Sequence, residues 1–162
     1  MNILGVDPGY ARVGWGVIQK DKQHVTPVAY GCIETDKDGT PELRLYSVFL
    51  KLREIITRYK PQCVSVEELF FSANVKTAIQ VGQARGVVLL AAAGAGIPVA
   101  SYTPTAVKQT ICGTGTADKK QIERMVMIQL KLKNPPTPDD TADALAIALT
   151  HAYSYNLKST YV

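Results

Sequence analysis

Asn2-Ile3-Leu4-Gly5-Val6-Asp7-Pro8-Gly9 opens the chain as a short apolar run of strand type, closed by an acid and a Pro-Gly turn pair. A run this apolar belongs in the interior of a sheet, so Asp7 is placed by a rigid element at the edge of the core. A second strand follows from about Val13 to Gln19, where Gly14 and Gly16 mark bulges or a close approach of backbone. A third runs from about Val25 to Glu34 and is ended by the Asp36 to Gly39 cluster. Connections this short join only antiparallel neighbours, so the first three strands are read as a meander.

From Leu43 onward the period changes. Leu45, Phe49, Leu52, Ile56 and Tyr59 recur at steps of four and three, the signature of an amphipathic helix, which Pro61 stops. Val64-Ser65-Val66 opens another strand, and Ala73 to Ala95 reads as a helix in which Ala78, Gly82 and Gly86 form a stripe without bulk. Such a stripe either packs tightly within the chain or receives another backbone. Gly86 to Ala100 reads as a buried helix end running into a buried strand at Ile97 to Ser101. Helices are predicted over Pro104 to Ile111, begun at Thr103, over Lys119 to Leu132, and over Asp139 to Tyr155 after the Pro-rich loop 134 to 138. The order βββαβαβααα describes an α/β domain with a mixed central sheet flanked by helices. Residues 1–155 are read as one domain and 156–162 as a C-terminal tail that need not be ordered.

At 162 residues the length fits one domain of about 150 residues. With 46% hydrophobic and 20% charged residues, disordered, collagen-like and low-complexity classes are excluded. The formal charge of +4 is unevenly spread: residues 72 to 133 carry 8 bases and 2 acids, while residues 1 to 71 carry 9 of each. A concentrated base excess suits an anionic partner such as nucleic acid. Three cysteines, Cys32, Cys63 and Cys112, without CxxC spacing point to neither a disulfide framework nor a zinc knuckle, and a reducing cytoplasm fits. The apolar start breaks at Asp7, too early for a signal peptide, and no apolar run reaches the roughly 20 residues of a membrane span.

The chemistry must come from a short inventory. His24 and His151, the only histidines, lie far apart, His151 near the last helix end where its charge suits the dipole, and no GxSxG elbow is present. Carboxylates stand out instead. Asp7 ends one buried-type strand and Glu67 ends another, although alone each is explained as a turn cap or a solvated strand end. Thr137, Pro138 and Asp140 match a capping box at the last helix, which accounts for Asp140. Asp143 lies one turn further in, before an apolar stretch, where an unpaired acid is expensive. Asp140 and Asp143, three apart, share a face. Four carboxylates without histidine or thiol suit Mg²⁺ or Mn²⁺, and a pair of such ions roughly 4 Å apart is the usual device for displacement at a phosphodiester.

Ile3-Leu4-Gly5-Val6-Asp7-Pro8-Gly9, Val64-Ser65-Val66-Glu67-Glu68-Leu69-Phe70, Gly82-Gln83-Ala84-Arg85-Gly86, Val107-Lys108-Gln109-Thr110 and Asp140-Thr141-Ala142-Asp143-Ala144-Leu145-Ala146-Ile147-Ala148 together resemble the RuvC family of Holliday junction resolvases. The resemblance covers nearly the whole chain. It implies a ribonuclease H-like fold, a homodimer, and a cytoplasmic DNA recombination and repair enzyme. That enzyme would make paired, symmetric, Mg²⁺-dependent incisions across a four-way DNA junction, with partnership of the RuvA and RuvB branch-migration proteins. Two Mg²⁺ ions per site, replaceable by Mn²⁺, and ends bearing 5′-phosphate and 3′-hydroxyl belong to the same implication.

By position, the resemblance puts the acidic ligands at Asp7, Glu67, Asp140 and Asp143, with Asp7 bridging the metals. It puts a junction-probing aromatic at Phe70 and DNA-contacting lysines at Lys108 and Lys119. Glu68 beside Glu67 and Asp139 beside Asp140 leave ligand identity open by one residue, and strand alternation allows only one of the two glutamates to face the metals. Phe70 and Phe71 are equally explained as core. Lys119-Lys120 after Gly113-Thr114-Gly115-Thr116 resembles a phosphate-holding loop before a helix N-terminus, or else a solvated charge pair. A ribonuclease H-like nuclease acting on structured RNA and a non-catalytic junction-binding protein stand as alternatives. An actin-like ATPase does not, because 162 residues leave no room for its second lobe.

Overall fold

Ile3, Leu4 and Val6 are fully buried although they point to opposite faces of β1 (Asn2–Pro8), and a strand covered on both faces lies inside its sheet. The computed structural model describes residues 1–22, 24–68 and 75–159, with side chains as far as 154. β1 pairs antiparallel with β2 (Arg12–Asp21), which pairs antiparallel with β3 (His24–Glu34), giving the expected meander. After helix α1 (Pro41–Tyr59), β4 (Cys63–Glu67) returns parallel to β1, and after α2 (Val75–Gly94), β5 (Val99–Tyr102) adds parallel to β4. The sheet order is β3-β2-β1-β4-β5. Helices α3 (Pro104–Cys112), α4 (Lys119–Leu130) and α5 (Asp139–Ser159) follow.

Alternation along the strands builds two cores. Leu4, Val6, Val13, Val17, Val64 and Val66 pack with Val48, Leu52 and Ile56 of α1 and Val88 and Ala92 of α2. Ile3 and Ile18 pack on the other face with Val107, Ile122, Val126, Leu145 and Leu149 of α3, α4 and α5. Each fully buried aliphatic side chain contributes about 1.5–3 kcal/mol, so both layers are held chiefly by area.

Helix α5 lies very close to the sheet, and two glycines make this possible. A Cβ on Gly5 would collide with the Ala144 carbonyl, and one on Gly14 with the Asp140 carbonyl. Gly14 therefore marks close approach; the β2–β3 irregularity sits at Val17/Ile18 instead.

Several expectations change. Helix α5 opens at Asp139, one residue after Pro138, and the Thr141 N–H donates to the Pro138 carbonyl at 3.0 Å, so a first-turn donor is met by backbone and the predicted capping box gives way to this turn. The helix continues to Ser159, four residues past the predicted end. His151 is not at a helix end: it is buried mid-helix, sharing a 2.7 Å hydrogen bond between Nδ1 and Tyr102 Oη. β5 is an edge strand, with Val99 exposed, rather than a buried one, because among the described residues no strand pairs with its outer side. The α2 stripe is not internal packing at Gly86, where a Cβ would meet nothing within 4 Å. Val75, Ile79 and Leu90, on the same helical face, are 69%, 57% and 62% exposed.

Candidate active site

Alternation sends Leu4 and Val6 toward α1 and α2, and hence Gly5 and Asp7 toward α5. β4 runs in register, with Gly5 opposite Ser65 and Val6 opposite Val66, so one further step sets Glu67 beside Asp7 on the same face. On the other side of Asp7 stands Gly14, whose missing side chain leaves room for the Asp140 backbone. The sheet thus presents a row of strand ends, and the first two turns of α5 lie over it. Asp7, Glu67 and Asp143 line one open cleft of about 320 Å³ together with Lys108 from α3, Lys119 from α4 and the apolar Val107, Ile122 and Ile147. Asp140 lies at its flank, against β2.

The cleft acids act on one another through their charges. Burial, followed by the charges of Asp143, Glu67 and Asp140, pushes the Asp7 carboxyl up to about 8, and Lys119 offsets part of this. Glu67 and Asp143 are also raised, mainly by burial, with Lys119 acting against the shift in both and Lys108 as well at Glu67. Buried like charges disfavour ionisation, so the cleft attracts cations. Two side-chain cations answer at the α5 edge. Lys119 Nζ lies 3.1 Å from Asp139 Oδ2 and 3.6 Å from Asp143 Oδ2. Arg12 Nε lies 3.2 Å from Asp140 Oδ2, and its Nη2 lies 4.0 Å from Asp139 Oδ1.

The donor set fits a hard divalent ion. All candidate ligands are carboxylate oxygens, and Asp140 Oδ2 is buried without a hydrogen-bond donor, Arg12 reaching it only as an ion pair. Among the described residues no three His, Cys, Asp or Glu side chains stand, as they lie, where they could together hold a metal ion. Asp140 and Asp143 are instead paired with Arg12 and Lys119.

The ambiguous neighbours separate. Glu67 faces the cleft, whereas Glu68 is exposed and its backbone N–H donates to the Tyr102 carbonyl at 2.8 Å. Asp139 does not line the cleft; half exposed, it lies in a smaller neighbouring hollow with Lys119, Lys120 and Glu123, which Asp143 also lines. Lys120 is exposed there and does not line the acidic cleft. The N-terminus of α4 is closed by its own capping box: the Asp118 carboxylate accepts from the Gln121 N–H at 2.9 Å and the Gln121 side chain from the Asp118 N–H at 2.9 Å. The loop before it is therefore not an open phosphate cradle, because its own acid occupies the helix end. Phe70 lies outside the described residues.

Two residues had been given no role from the sequence, although Arg85 stands in one of the blocks that carry the resemblance. Arg12 follows the Pro8-Gly9 turn, and a base so near the strand-end acid is its only local signal. Arg85 of α2 donates from Nε to the Glu67 carbonyl at 3.2 Å and from Nη2 to Ser101 Oγ at 2.9 Å, tying the end of β4 to β5 and α2.

Comparison with known proteins agrees with this geometry. The chain is 48% identical over 159 residues to a crossover junction endodeoxyribonuclease RuvC of Syntrophomonas wolfei, covering 98% of this chain and 92% of that one. It is 52% identical over 152 residues to the same enzyme of Brevibacillus brevis, covering 94% and 92%. Thermus thermophilus RuvC in complex with a Holliday junction substrate superposes with a TM-score of 0.92 at 38% identity, over 98% of this chain and 97% of that one. The yeast mitochondrial Holliday junction resolvase Ydc2 shares the fold at a TM-score of 0.70 and 13% identity, over 98% and 80%. Since the family profile described as crossover junction endodeoxyribonuclease RuvC matches residues 3–151, almost from the first strand to the buried turn of α5, the chain belongs to the RuvC family.

Proposed function

We propose that this protein is a structure-selective, metal-dependent DNA endonuclease that resolves four-way junctions by paired, symmetric phosphodiester hydrolysis, leaving 5′-phosphate and 3′-hydroxyl ends. The observation that carries the reading is the meeting of Asp7, Glu67 and Asp143 with Lys108 and Lys119 in one open cleft, in a chain of this family. Asp7, Glu67, Asp140 and Asp143 would hold the metal, Mg²⁺ with Mn²⁺ able to replace it. When bound, a pair of such ions activates water and stabilises the leaving oxygen.

The chain's own residues do the rest. Gly5 and Gly14 let α5 close on the sheet and hold the helix acids over the strand acids. Arg85 fixes the carbonyl of Glu67 and so the strand end from which that ligand projects. Lys108 and Lys119 stand where a phosphodiester entering the cleft would meet positive charge, and Lys120 flanks them. Phe70 is proposed as the aromatic that stacks at the crossover, on the family resemblance alone.

Paired incisions need two sites. The exposed face of α2, with Val75, Ile79, Gly86 and Leu90, is proposed as the homodimer contact, since a second copy presents the same apolar, close-fitting surface. Residues 1–155 would act as one domain. Family membership supports a cytoplasmic role in DNA recombination and repair beside RuvA and RuvB, and among the described residues no helix is long and apolar enough to cross a membrane.

A labelled synthetic four-way junction incubated with Mg²⁺ or EDTA tests the whole reading. Symmetric nicks on opposite strands, present only with the metal, are expected. Equal cutting of linear duplex or structured RNA would overturn the substrate assignment, and binding without cleavage in Mg²⁺ or Mn²⁺ would overturn the catalytic one.

A further inference from the structure

Asp139 faces two cations, and each of those cations also faces one of the proposed metal ligands. Lys119 Nζ stands 3.1 Å from Asp139 and 3.6 Å from Asp143. Arg12 stands 3.2 Å from Asp140 and 4.0 Å from Asp139. The Asp139 side chain is 54% exposed, against 24% for Asp140 and 27% for Asp143, so it lies at the rim while the other two lie deeper. Arg12 meets Asp140 at Oδ2 and Lys119 meets Asp143 at Oδ2, so a divalent ion ligated by those same oxygens competes with both cations for them.

We propose that Asp139 is a positioning residue: it receives Lys119 and Arg12 when a divalent cation takes Asp140 and Asp143, so that metal enters while both bases stay at the mouth of the cleft, facing the DNA backbone. The inference rests on the metal-binding reading above. The exchange is short. Both cations already lie within ion-pair distance of both partners, so rotation about side-chain bonds suffices. Lys119 projects from the capped first turn of α4 and Arg12 from the start of β2, and neither backbone has to move. Asp139 then has the opposite effect from a competing ligand, since it makes the release of Asp140 and Asp143 less costly.

The test is a Mn²⁺ titration of the DNA-free protein by calorimetry, with thermal unfolding as the check on folding. In the wild type, binding that disappears in Asp143→Asn is expected. Asp139→Asn should weaken that binding about fivefold, because the two cations then compete only for the ligands, and Asp139→Glu should restore it. In an Arg12→Gln, Lys119→Gln background the effect of Asp139→Asn should shrink to less than about twofold. An undiminished effect in that background would make Asp139 a ligand or a general attractant and overturn the proposal. So would unchanged Mn²⁺ affinity in Asp139→Asn. A wild-type protein without Asp143-dependent Mn²⁺ binding would overturn the metal reading itself, a result distinct from either of these.

Discussion

Asp7 and Glu67 leave the ends of adjacent strands, while Asp140 and Asp143 leave the first turns of a helix, each beside a side-chain cation. Among the described residues no ion pair reaches either strand acid, and burial dominates their raised carboxyl pKa values. Each helix acid instead meets a cation directly, Asp140 with Arg12 and Asp143 with Lys119, and Asp139 lies within ion-pair distance of both cations. A sheet fixes direction without supplying a counter-charge; a helix laid across it brings both acids and their neutralising partners from other elements. The strand pair is thus the rigid half of the cleft, which the lysines reach only at a distance, and the helix pair the directly ion-paired, adjustable half.

The largest expected effect breaks the helix half. Asp143→Asn should leave junction binding within about threefold while Mg²⁺-dependent cleavage falls about 10³-fold or more, since a lost ligand forfeits several kcal/mol of transition-state stabilisation. Gel-shift titration and single-turnover cleavage on the same junction separate the two, and a fully active variant would remove Asp143 from the mechanism. Next comes the seat that joins the halves. Gly14→Ala would drive a methyl group into the Asp140 backbone, costing about 1–3 kcal/mol of stability and misplacing the helix acids, to be read as a lower urea midpoint together with lost cleavage.

Smaller and pH-dependent is the strand half. With its folded carboxyl pushed up to about 8 from an ordinary value of 3.8, Asp7 holds a proton in the metal-free protein that the unfolded chain has already released. Its contribution to stability is therefore complete below about pH 4 and is lost as pH rises through about 8. In EDTA the wild-type melting temperature should fall between pH 6 and 8.5. Asp7→Asn should flatten the fall and gain about 2–4 °C per kcal/mol at the alkaline end. An unchanged slope would show that the Asp7 carboxyl is not the raised group behind the fall. The smallest effect concerns the rim: Lys120→Gln should reduce the slope of log affinity against log salt by at most about 0.9, the worth of one phosphate contact, with cleavage of bound junction unaltered.

The order of the elements was legible because local periodicity encodes it. Asp7 and Glu67 were found from the apolar runs they terminate, and Thr103 from its place before Pro104, where its hydroxyl accepts from the Ala106 N–H at 3.1 Å. The choice of Glu67 over Glu68 needed only the period of two along a strand, once the face was known. The cap of α5 was misread because Thr-Pro-Asp-Asp satisfies the capping pattern in sequence, while the chain meets the first-turn donor with the Pro138 carbonyl. His151 was misplaced because the helix outran its predicted end. The exposed face of α2 could be read only as either packing or contact until the positions of α1 and the sheet were known.

By itself, the sequence determined the alternation of strands and helices, the acidic character of the site and the location of its base excess, all of which follow from residue type and short-range spacing. Tertiary structure alone decided which charges meet. Arg12 and Asp140 are 128 positions apart and Lys119 and Asp143 are 24 apart, and no periodicity links either pair. They come together because α5 rests directly on Gly5 and Gly14, a contact fixed by the shape of the folded sheet rather than by any local preference of the chain.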